Sequence, residues 1–250
     1  MPLFLANIVD WFSPLWSNPS SFFNFDFLPR YWLYFRQGIG YTLLLSVTAV
    51  LLAVIPALIL ALMRLSKHRI FRGLSGAYVA VFRSTPMLVQ LSLIYFGVFS
   101  VISLPSTKIF GFLKVNTFIP CVVTLALNSS AYVAEIFRAG ILAVDKGQTE
   151  AARSLGLSSW QSMYMVVLPQ AVKNILPTLA NELVTMVKES SICSTIGVMD
   201  LMWGAQKVAA STHISVGPFV LAAAIYFCIN YPASKAIEAV ERRMRRGDKQ

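Results

Sequence analysis

Residues 145–171 read Asp-Lys-Gly-Gln-Thr-Glu-Ala-Ala-Arg-Ser-Leu-Gly-Leu-Ser-Ser-Trp-Gln-Ser-Met-Tyr-Met-Val-Val-Leu-Pro-Gln-Ala and form a mostly polar stretch between strongly apolar ones. The stretch is too polar to cross a bilayer, and it is too rich in helix formers to be a slack linker. We therefore expect a short helical element at a membrane face, where a molecule outside the membrane can bind it.

The rest of the chain has the composition of an integral membrane protein. Of its 250 residues 56% are hydrophobic and only 13% are charged, whereas soluble domains carry about 25% charged residues. A helix needs about 20 apolar residues to cross the bilayer. The sequence therefore predicts an all-α integral membrane protein with about five transmembrane helices, at about 39–63, 84–104, 118–138, 174–199 and 214–236.

The net charge of +10 is explained by membrane topology and not by nucleic acid binding. Cytoplasmic loops of membrane proteins collect Lys and Arg. Most of the basic residues lie in segments that become cytoplasmic when the N-terminus is outside and the C-terminus is inside. This topology places 1–37 outside, 38–240 in the membrane domain and the basic tail 241–250 in the cytoplasm.

The N-terminal segment 1–37 is aromatic and lacks the basic start and cleavage site of a signal peptide. Aromatic side chains favour the headgroup level, so the segment predicts an interfacial collar, with an irregular and loosely held tail as the alternative. The residues concerned are Trp11, Trp16, Phe22, Phe23, Phe25, Tyr31 and Trp32.

No catalytic or metal-binding pattern is found in the sequence. Cys121, Cys193 and Cys228 are well separated and lie in apolar surroundings, so we interpret them as packing residues. His68 and His213 have no partner pattern for catalysis or metal binding.

Helix signals are concentrated in the first half of the polar stretch. Thr149 can serve as an N-cap, and Glu150 places negative charge in the first turn, where the helix dipole favours it. Small side chains at Ala151 and Ala152 let a helix approach a groove closely. Gly156 suits a left-handed C-terminal cap.

A second helix is predicted in the other half of the stretch. Ser158 and Gln161 have the spacing of a capping box. Pro169 marks a bend where the chain returns to the membrane.

Together these residues follow a longer pattern, which is Glu150-Ala151-Ala152, three residues, Gly156, nine residues, Val166, one residue and Leu168-Pro169. The pattern resembles the EAA loop of ABC importer permeases, with Val166 where isoleucine is commoner. In that family the cytoplasmic loop is a coupling helix that docks into a cleft of a separate ATPase subunit. The resemblance implies the same role for Glu150, Ala151, Ala152, Leu155 and Gly156.

Three further stretches resemble the polar amino acid permeases of the histidine, glutamate, glutamine, arginine and opine type. They are 83–90, with Ser84 in place of Gly, 131–141, and 188–197, where Asp and Thr are usual at the positions of Glu189 and Ser190. The resemblance covers about 38–240. It implies the type I permease fold of ABC importers and a place in the bacterial cytoplasmic (inner) membrane.

Several partners follow from the same resemblance. It implies two ATPase subunits, a second permease subunit and an extracytoplasmic amino-acid-binding protein, besides membrane lipid. The chain contains no Gly-x-x-x-x-Gly-Lys-Ser/Thr phosphate loop, so ATP and Mg²⁺ are expected on the ATPase partner, with no cofactor in this chain. The second permease subunit can be identical or a sister chain.

Ionisable residues inside a membrane are candidates for a substrate path. Glu182 and Glu189, seven residues apart, project from one side of a helix and favour an amino group or a cationic side chain. Lys188 and Arg83 can answer the substrate carboxylate, unless Arg83 instead pairs with Glu135 or Glu189. The path candidates are Glu182, Glu189, Arg83, Glu135, Lys188, Ser190 and Ser191, whereas Asn128, Ser129 and Ser130 are assigned to helix packing.

The sequence therefore predicts the permease subunit of an ATP-driven importer of a polar amino acid, with a slight preference for a basic one. The alternatives are an ATP-independent secondary transporter or channel, and an ABC importer of another small polar solute such as an opine. The residues leave open which amino acid is carried, and whether the permease dimer contains one kind of chain or two.

Overall fold

The computed structural model describes residues 24–109 and 113–246, and these residues are almost entirely helical. The fold is thus all-α, as predicted, apart from one two-stranded antiparallel hairpin in which Lys108 lies opposite Lys114. In chain order the elements are α1 (Leu28–Leu65), α2 (Arg69–Ser84), α3 (Met87–Ser92), a first π-helical segment (Leu93–Val98), α4 (Phe99–Val101), β1 (Lys108–Ile109), β2 (Leu113–Lys114), α5 (Val115–Leu142), α6 (Lys146–Ser154), α7 (Ser159–Ser162), a second π-helical segment (Met163–Val167), α8 (Leu168–Glu189), a 3-10 helix (Ser190–Ile196), α9 (Leu201–Thr212) and α10 (Gly217–Arg246).

Length and composition identify fewer membrane spans than the five predicted. Within the described residues α1, α5 and the Gly217–Met244 part of α10 are long and apolar enough to cross, and a bent pair of helices makes a fourth span at most. The predicted span 174–199 is absent from this set. Its helix α8 contains Glu182, Lys188 and Glu189 and lies against α5 and α10, so its composition is not that of a helix surrounded by lipid.

The first helix begins at Leu28, so the predicted segment 1–37 and the predicted span 39–63 each contain part of it. Arg30 and Arg36 lie within α1. With 38 residues the helix is about 57 Å long, which exceeds the bilayer core. Backbone hydrogen bonds continue through charged residues, so the charge-free run marks the apolar part of α1 and not its ends.

Part of the predicted aromatic collar falls on this helix. Tyr31 and Trp32 lie in α1, and Phe25 just precedes it. The other collar residues lie outside the described residues, as does the end of the basic tail; they are Trp11, Trp16, Phe22 and Phe23.

The predicted span 84–104 begins at a bend, because a separate helix, α2, ends at Ser84 and the next helix starts at Met87. The axes of α2 and of the segment Met87–Val101 differ by 106°. Pro86 disfavours helical backbone angles for the residue before it, and Thr85 is accordingly extended, with φ −108° and ψ 142°. The charge-free run therefore begins at a sharp bend in the backbone.

The bounds of the other three predicted helices also differ from those in the structure. The predicted 118–138 is Val115–Leu142, 174–199 is α8 followed by the 3-10 helix, and 214–236 is Gly217–Arg246. Helix α9 was not predicted, although Asp200, at its N-cap, is of a residue type that often caps helices. Asp200 accepts a hydrogen bond from the backbone nitrogen of Trp203 at 2.7 Å.

Small residues bring α1 and α5 into close contact. Ala49, Ala53, Ala57 and Ala61 recur every four residues on α1, and all four are at most 1% exposed. This spacing places them on one face of a helix, and small side chains at such positions let helix backbones approach within a membrane. Helix α5 in turn packs against α8 and α2, which places the third and fourth predicted spans side by side.

The three cysteines differ in environment. Cys121 and Cys193 are buried in the same apolar cluster, in agreement with their predicted packing role. Cys228 is exposed on α10, so the packing role predicted for it is wrong.

Candidate functional site

The polar stretch 145–171 begins with a short exposed helix, α6. Its N-cap is Asp145, whose Oδ1 accepts a hydrogen bond from the backbone nitrogen of Gly147 at 2.6 Å. The prediction of Thr149 as N-cap is therefore wrong. Asp145 satisfies the first backbone donors one turn earlier, and Thr149 lies inside the helix.

Helix α6 ends as predicted, at a left-handed glycine. Gly156 has φ +87°, and its nitrogen donates to the carbonyl oxygen of Arg153 at 3.0 Å. The nitrogen of Leu157 donates to the carbonyl oxygen of Ala152 at 3.2 Å. These two bonds form a Schellman motif, which satisfies the last carbonyl groups and turns the chain sharply.

The predicted capping box is also confirmed. The backbone nitrogen of Gln161 donates to Ser158 Oγ at 3.3 Å, and the backbone nitrogen of Ser158 donates to Gln161 Oε1 at 2.8 Å. From Ser159 the chain is continuously helical through the second π-helical segment and α8 to Glu189. Pro169 lies inside this run and does not end it.

Large apolar side chains on this stretch are exposed. Leu155 is 83% exposed and Trp160 is 75% exposed, and the Trp160 ring stacks on that of Tyr164. Glu150 and Ala151 are exposed as well, whereas Ala152 is buried. An apolar patch of this kind in a polar segment is typical of a protein interaction site. Trp160 and Tyr164 are not among the predicted coupling residues, although an aromatic pair at helical spacing is a readable signal.

A cavity of about 410 Å³ lies between α2, α5 and α8. It brings together three of the seven predicted path residues, which are Arg83 from α2, Glu135 from α5 and Glu182 from α8. The helices pack closely at its wall, because Gly140 of α5 leaves room for the side chain of Ile175.

Glu182 is held in the cavity by a neighbouring helix. Ser129 of α5 donates a hydrogen bond from its hydroxyl to Glu182 Oε1 at 2.9 Å. Ser129 was assigned to helix packing, but its hydroxyl also positions the side chain of Glu182. Ser130 bonds instead with the hydroxyl of Tyr78 at 2.9 Å, which ties α5 to α2.

Glu135 is engaged by two arginines. Arg64 Nε lies 3.4 Å from Glu135 Oε1, and Arg138 Nε lies 3.2 Å from Glu135 Oε2. The predicted alternative, an ion pair between Arg83 and Glu135, is therefore wrong. Arg64 comes from the end of α1, so the ion pairs join α1 and α5 beside the cavity.

Arg83 lies against an aromatic ring. Its Cζ lies 5.1 Å from the centroid of the Tyr132 ring, within the range of a cation–π interaction. Tyr132 also lines the cavity and was not predicted as a site residue.

The other predicted path residues do not line this cavity. Glu189 is the last residue of α8, about 10 Å along the helix axis from Glu182. Ser190 is buried and donates to the carbonyl oxygen of Val187, Ser191 is partly buried, and Lys188 is exposed. The expectation that Glu182 and Glu189 line one path stays a prediction, because both lie on α8 but only Glu182 lines this cavity.

A polar clamp holds the bend beside Arg83. The side-chain nitrogen of Gln90 donates to the carbonyl oxygens of Phe82 and Thr85 at 2.8 and 3.0 Å. The side-chain nitrogen of Asn128 donates to Gln90 Oε1 at 2.9 Å and to the carbonyl oxygen of Phe82 at 3.2 Å. These bonds satisfy backbone carbonyls exposed by the break between α2 and α3. Gln90 is therefore a positioning residue that the sequence did not identify, and Asn128, which was assigned to helix packing, helps to hold the bend.

Comparison with known proteins gives consistent matches. The family described as "Binding-protein-dependent transport system inner membrane component" matches residues 49–246. The glutamine transport system permease protein of Rickettsia felis is 40% identical over 223 residues, which cover 88% of this chain and 98% of that protein. The arginine transport system permease protein of Bacillus subtilis is 40% identical over 212 residues, covering 85% and 93%.

A solved structure is also similar. The crystal structure of an amino acid ABC transporter with histidines contains a chain that is 42% identical and superposes with a TM-score of 0.78. The match covers 86% of this chain and 96% of that one. The similarity therefore extends over nearly the whole length of each matched protein.

Proposed function

This chain belongs to the family of binding-protein-dependent transport system inner membrane components, and we propose that it is the membrane subunit of an ATP-driven importer of a polar amino acid. In this proposal the chain binds no nucleotide. ATP and Mg²⁺ are bound by two separate ATPase subunits, and this subunit converts their movement into transport. A second permease chain and an extracytoplasmic binding protein complete the complex.

The observation that carries the proposal is the helical connection between the exposed stretch and the cavity. Trp160 and Glu182 lie on one continuous helical run, about 33 Å apart along its axis. A movement imposed on α6 and α7 from outside is therefore transmitted by a rigid element to the wall of the cavity.

The exposed surface has the properties that a docking contact requires. We define the coupling surface as Glu150, Ala151, Leu155, Gly156 and Trp160. Small residues allow close approach, Leu155 and Trp160 offer apolar area for burial, and the Schellman motif at Gly156 fixes the direction of the turn. The buried Ala152 supports this surface from beneath.

Coupling demands a substantial interaction energy. To shift a transporter from 1:99 to 99:1 between two states, differential binding must supply about 5.5 kcal/mol. Burial of large exposed apolar side chains contributes about 1.5–3 kcal/mol each. Leu155 and Trp160 together therefore reach the order of magnitude that the transition requires.

The proposed orientation has the N-terminus outside and the C-terminus in the cytoplasm. It places α6 and α7 on the ATPase side, along with the short turn after Leu65 and the end of α10. It places the β1–β2 hairpin and the loop before α9 on the side of the binding protein. The excess of Lys and Arg in the cytoplasmic segments supports this choice.

Co-purification and reconstitution test the proposal. The full chain, expressed with its neighbouring subunits, is expected to purify with a nucleotide-binding subunit in a fixed ratio. Reconstituted in liposomes with the binding protein, it is expected to take up amino acids only when ATP is supplied. Uptake by the chain alone, driven by an ion gradient without any ATPase, contradicts the proposal and supports a secondary transporter.

A further inference from the structure

The turn between α1 and α2 carries basic side chains that have no acidic partner among the described residues. Lys67, Arg69 and Arg72 are exposed, and no described carboxylate oxygen lies within 4.0 Å of their nitrogens. His68 lies between them and is exposed as well. We define these four residues as the basic corner.

The surrounding sequence offers the basic corner no counter-charge. No Asp or Glu occurs between Asp26 and Glu135, and the first turn of α2 contains no acidic residue. The two oxygens of Glu135 are already engaged by Arg64 and Arg138, one by each. The described residues therefore leave the positive charge of the corner unneutralised.

The basic end of α10 differs in this respect. Lys235 Nζ lies 2.9 Å from an oxygen of Glu238, and Arg242 and Arg243 directly follow Glu241 in the sequence. Its basic side chains thus have acidic residues close by. The basic corner has none, which sets it apart as a place for an anion from outside the chain.

An exposed apolar stripe runs along α2 from the basic corner. Ile70, Leu74 and Val81 are 75%, 60% and 58% exposed, and their spacing places them on one side of the helix. At 1.5 Å per residue the stripe is about 17 Å long. Half of the hydrocarbon core of a bilayer is about 15 Å thick. A helix that crosses one leaflet presents an apolar stripe of this length.

We infer that the basic corner binds the headgroup of an anionic phospholipid, whose acyl chain lies along the apolar stripe of α2. Guanidinium groups bind phosphate through two parallel hydrogen bonds, and a lysine ammonium adds a point charge. Clusters of Lys and Arg directly beside a spanning helix attract anionic lipids. The inference goes beyond the proposed importer function, and it requires only that α1 crosses the bilayer.

The apolar stripe favours a lipid over a soluble anion or an acidic protein. A free phosphate can neutralise the basic corner, but it leaves Ile70 and Leu74 uncovered. An acidic protein surface supplies the charge without the hydrocarbon that the adjoining stripe requires. A phospholipid provides both parts in one molecule, in the order in which α2 presents them.

The test is photolabelling of the chain, purified together with its partner subunits, in phosphatidylcholine nanodiscs. The probe is a trace of phosphatidylglycerol with a diazirine in its headgroup, and labelled peptides are identified by mass spectrometry. We expect label within residues 62–74. Excess unlabelled phosphatidylglycerol is expected to remove this label, whereas excess phosphatidylcholine or inorganic phosphate is expected to leave it. This competition in the wild type does not depend on any variant.

Removal of charge assigns the contacts. A triple variant with Lys67→Gln, Arg69→Gln and Arg72→Gln is expected to lose the label at least about tenfold, since each basic residue near an anionic surface contributes about fivefold in affinity. The three side chains have no described ion pair to lose, so the fold is expected to persist. Arg69→Lys with Arg72→Lys keeps the charge and is expected to retain most of the label.

A matched control removes the same number of charges elsewhere. A triple variant with Lys235→Gln, Arg242→Gln and Arg243→Gln alters exposed residues of α10. It is expected to keep the full label within residues 62–74. A general loss of attraction to anionic lipid would instead lower the label equally in the two triple variants, and that result contradicts a site at the basic corner.

Three further results overturn the inference. Full label in the triple variant of the basic corner shows that these side chains do not bind the headgroup. Loss of label with inorganic phosphate assigns the corner to a soluble anion. Absence of label from residues 62–74 in the wild-type complex assigns it to a protein partner. Uptake does not enter this test, so the inference and the proposed function fail independently of each other.

Discussion

The guanidinium of Arg83 lies over the ring of Tyr132, with 5.1 Å between Cζ and the ring centroid. The two residues come from different helices, α2 and α5, and both line the cavity. The aromatic ring orients the Arg83 side chain and leaves its positive charge unpaired. A carboxylate partner, by contrast, would neutralise that charge. The arrangement leaves the guanidinium available to a ligand.

Replacement of Tyr132 tests this role. Tyr132→Leu removes the ring that supports Arg83, and a cation–π contact contributes about 0.5–2 kcal/mol. We expect the half-saturating substrate concentration for uptake to rise between about twofold and thirtyfold. Tyr132→Phe keeps the ring and is expected to transport like the wild type. A similar defect in both variants would mean that the hydroxyl, and not the ring, is what matters.

The coupling surface depends on backbone conformation at Gly156. A Cβ built on this residue meets no atom within 4 Å, so the cost of a side chain arises from its φ of +87° alone. We expect Gly156→Val to insert in the membrane but to lose ATP-driven uptake, because a β-branched residue does not adopt this φ. Gly156→Asn is the control, since Asn tolerates the left-handed region, and it is expected to retain most of the uptake. Equal uptake by the two variants contradicts a role for this turn.

Charge on the coupling surface gives an independent prediction. Glu150 is exposed in the middle of α6 and not in the first turn, where it was predicted to lie, because the helix begins at Lys146. We expect Glu150→Lys to abolish uptake while the protein still reaches the membrane at its normal level, as measured by immunoblotting of membranes. Normal uptake by this variant argues against contact with an ATPase at this residue.

The ion pairs of Glu135 are expected to stabilise the fold. Glu135→Gln removes the charge between Arg64 and Arg138, both of which are partly exposed. A cost of about 1 kcal/mol corresponds to a fall in melting temperature of about 2–4 °C in a thermal shift assay on the purified protein. Glu238→Gln removes an exposed pair and is expected to leave the melting temperature unchanged. An equal fall in melting temperature in both variants would show that the ion pairs of Glu135 stabilise the fold no more than an exposed ion pair does.

The bend after Ser84 is expected to depend on Gln90. In Gln90→Leu the carbonyl oxygens of Phe82 and Thr85 lose a donor, and Asn128 loses an acceptor. Each unsatisfied buried group costs about 1–3 kcal/mol, so we expect a strong loss of thermal stability and of uptake. Ser92→Ala is the control in the same helix, because the Ser92 hydroxyl donates to the carbonyl oxygen of Leu88 in its own turn. Wild-type stability of Gln90→Leu contradicts the clamp.

Local features of this protein were predictable from its sequence. The left-handed Gly156 and the capping box at Ser158 are each determined by a few adjacent residues, and the structure confirms both. The family predicted from the pattern between Glu150 and Pro169 is likewise confirmed. The start of α1 at Leu28 was missed, because hydropathy marks where a helix is apolar and says nothing of how far its backbone hydrogen bonds continue.

Pairings between distant residues were not predictable in the same way. The partner of Glu135 could be Arg83 as readily as Arg64, because the choice depends on how α1, α2 and α5 cross. Small residues at Ala49, Ala53, Ala57 and Ala61 determine part of that crossing, and their four-residue spacing is visible in the sequence once sought. The role of Ser129 could not be inferred, since it depends on the position of Glu182 on another helix.

The most direct test of the account places a photo-cross-linker at Leu155. In a Cys228→Ser background the remaining cysteines are buried, so Leu155→Cys can be labelled selectively with benzophenone maleimide. Illumination of the assembled complex is expected to link this residue to the ATPase subunit, whereas the same label on exposed Ser106→Cys, on the proposed outer side, is expected to leave the ATPase unlinked. Absence of a link from Leu155→Cys, in a complex that contains the ATPase, would contradict the central claim that this surface is where the ATPase acts.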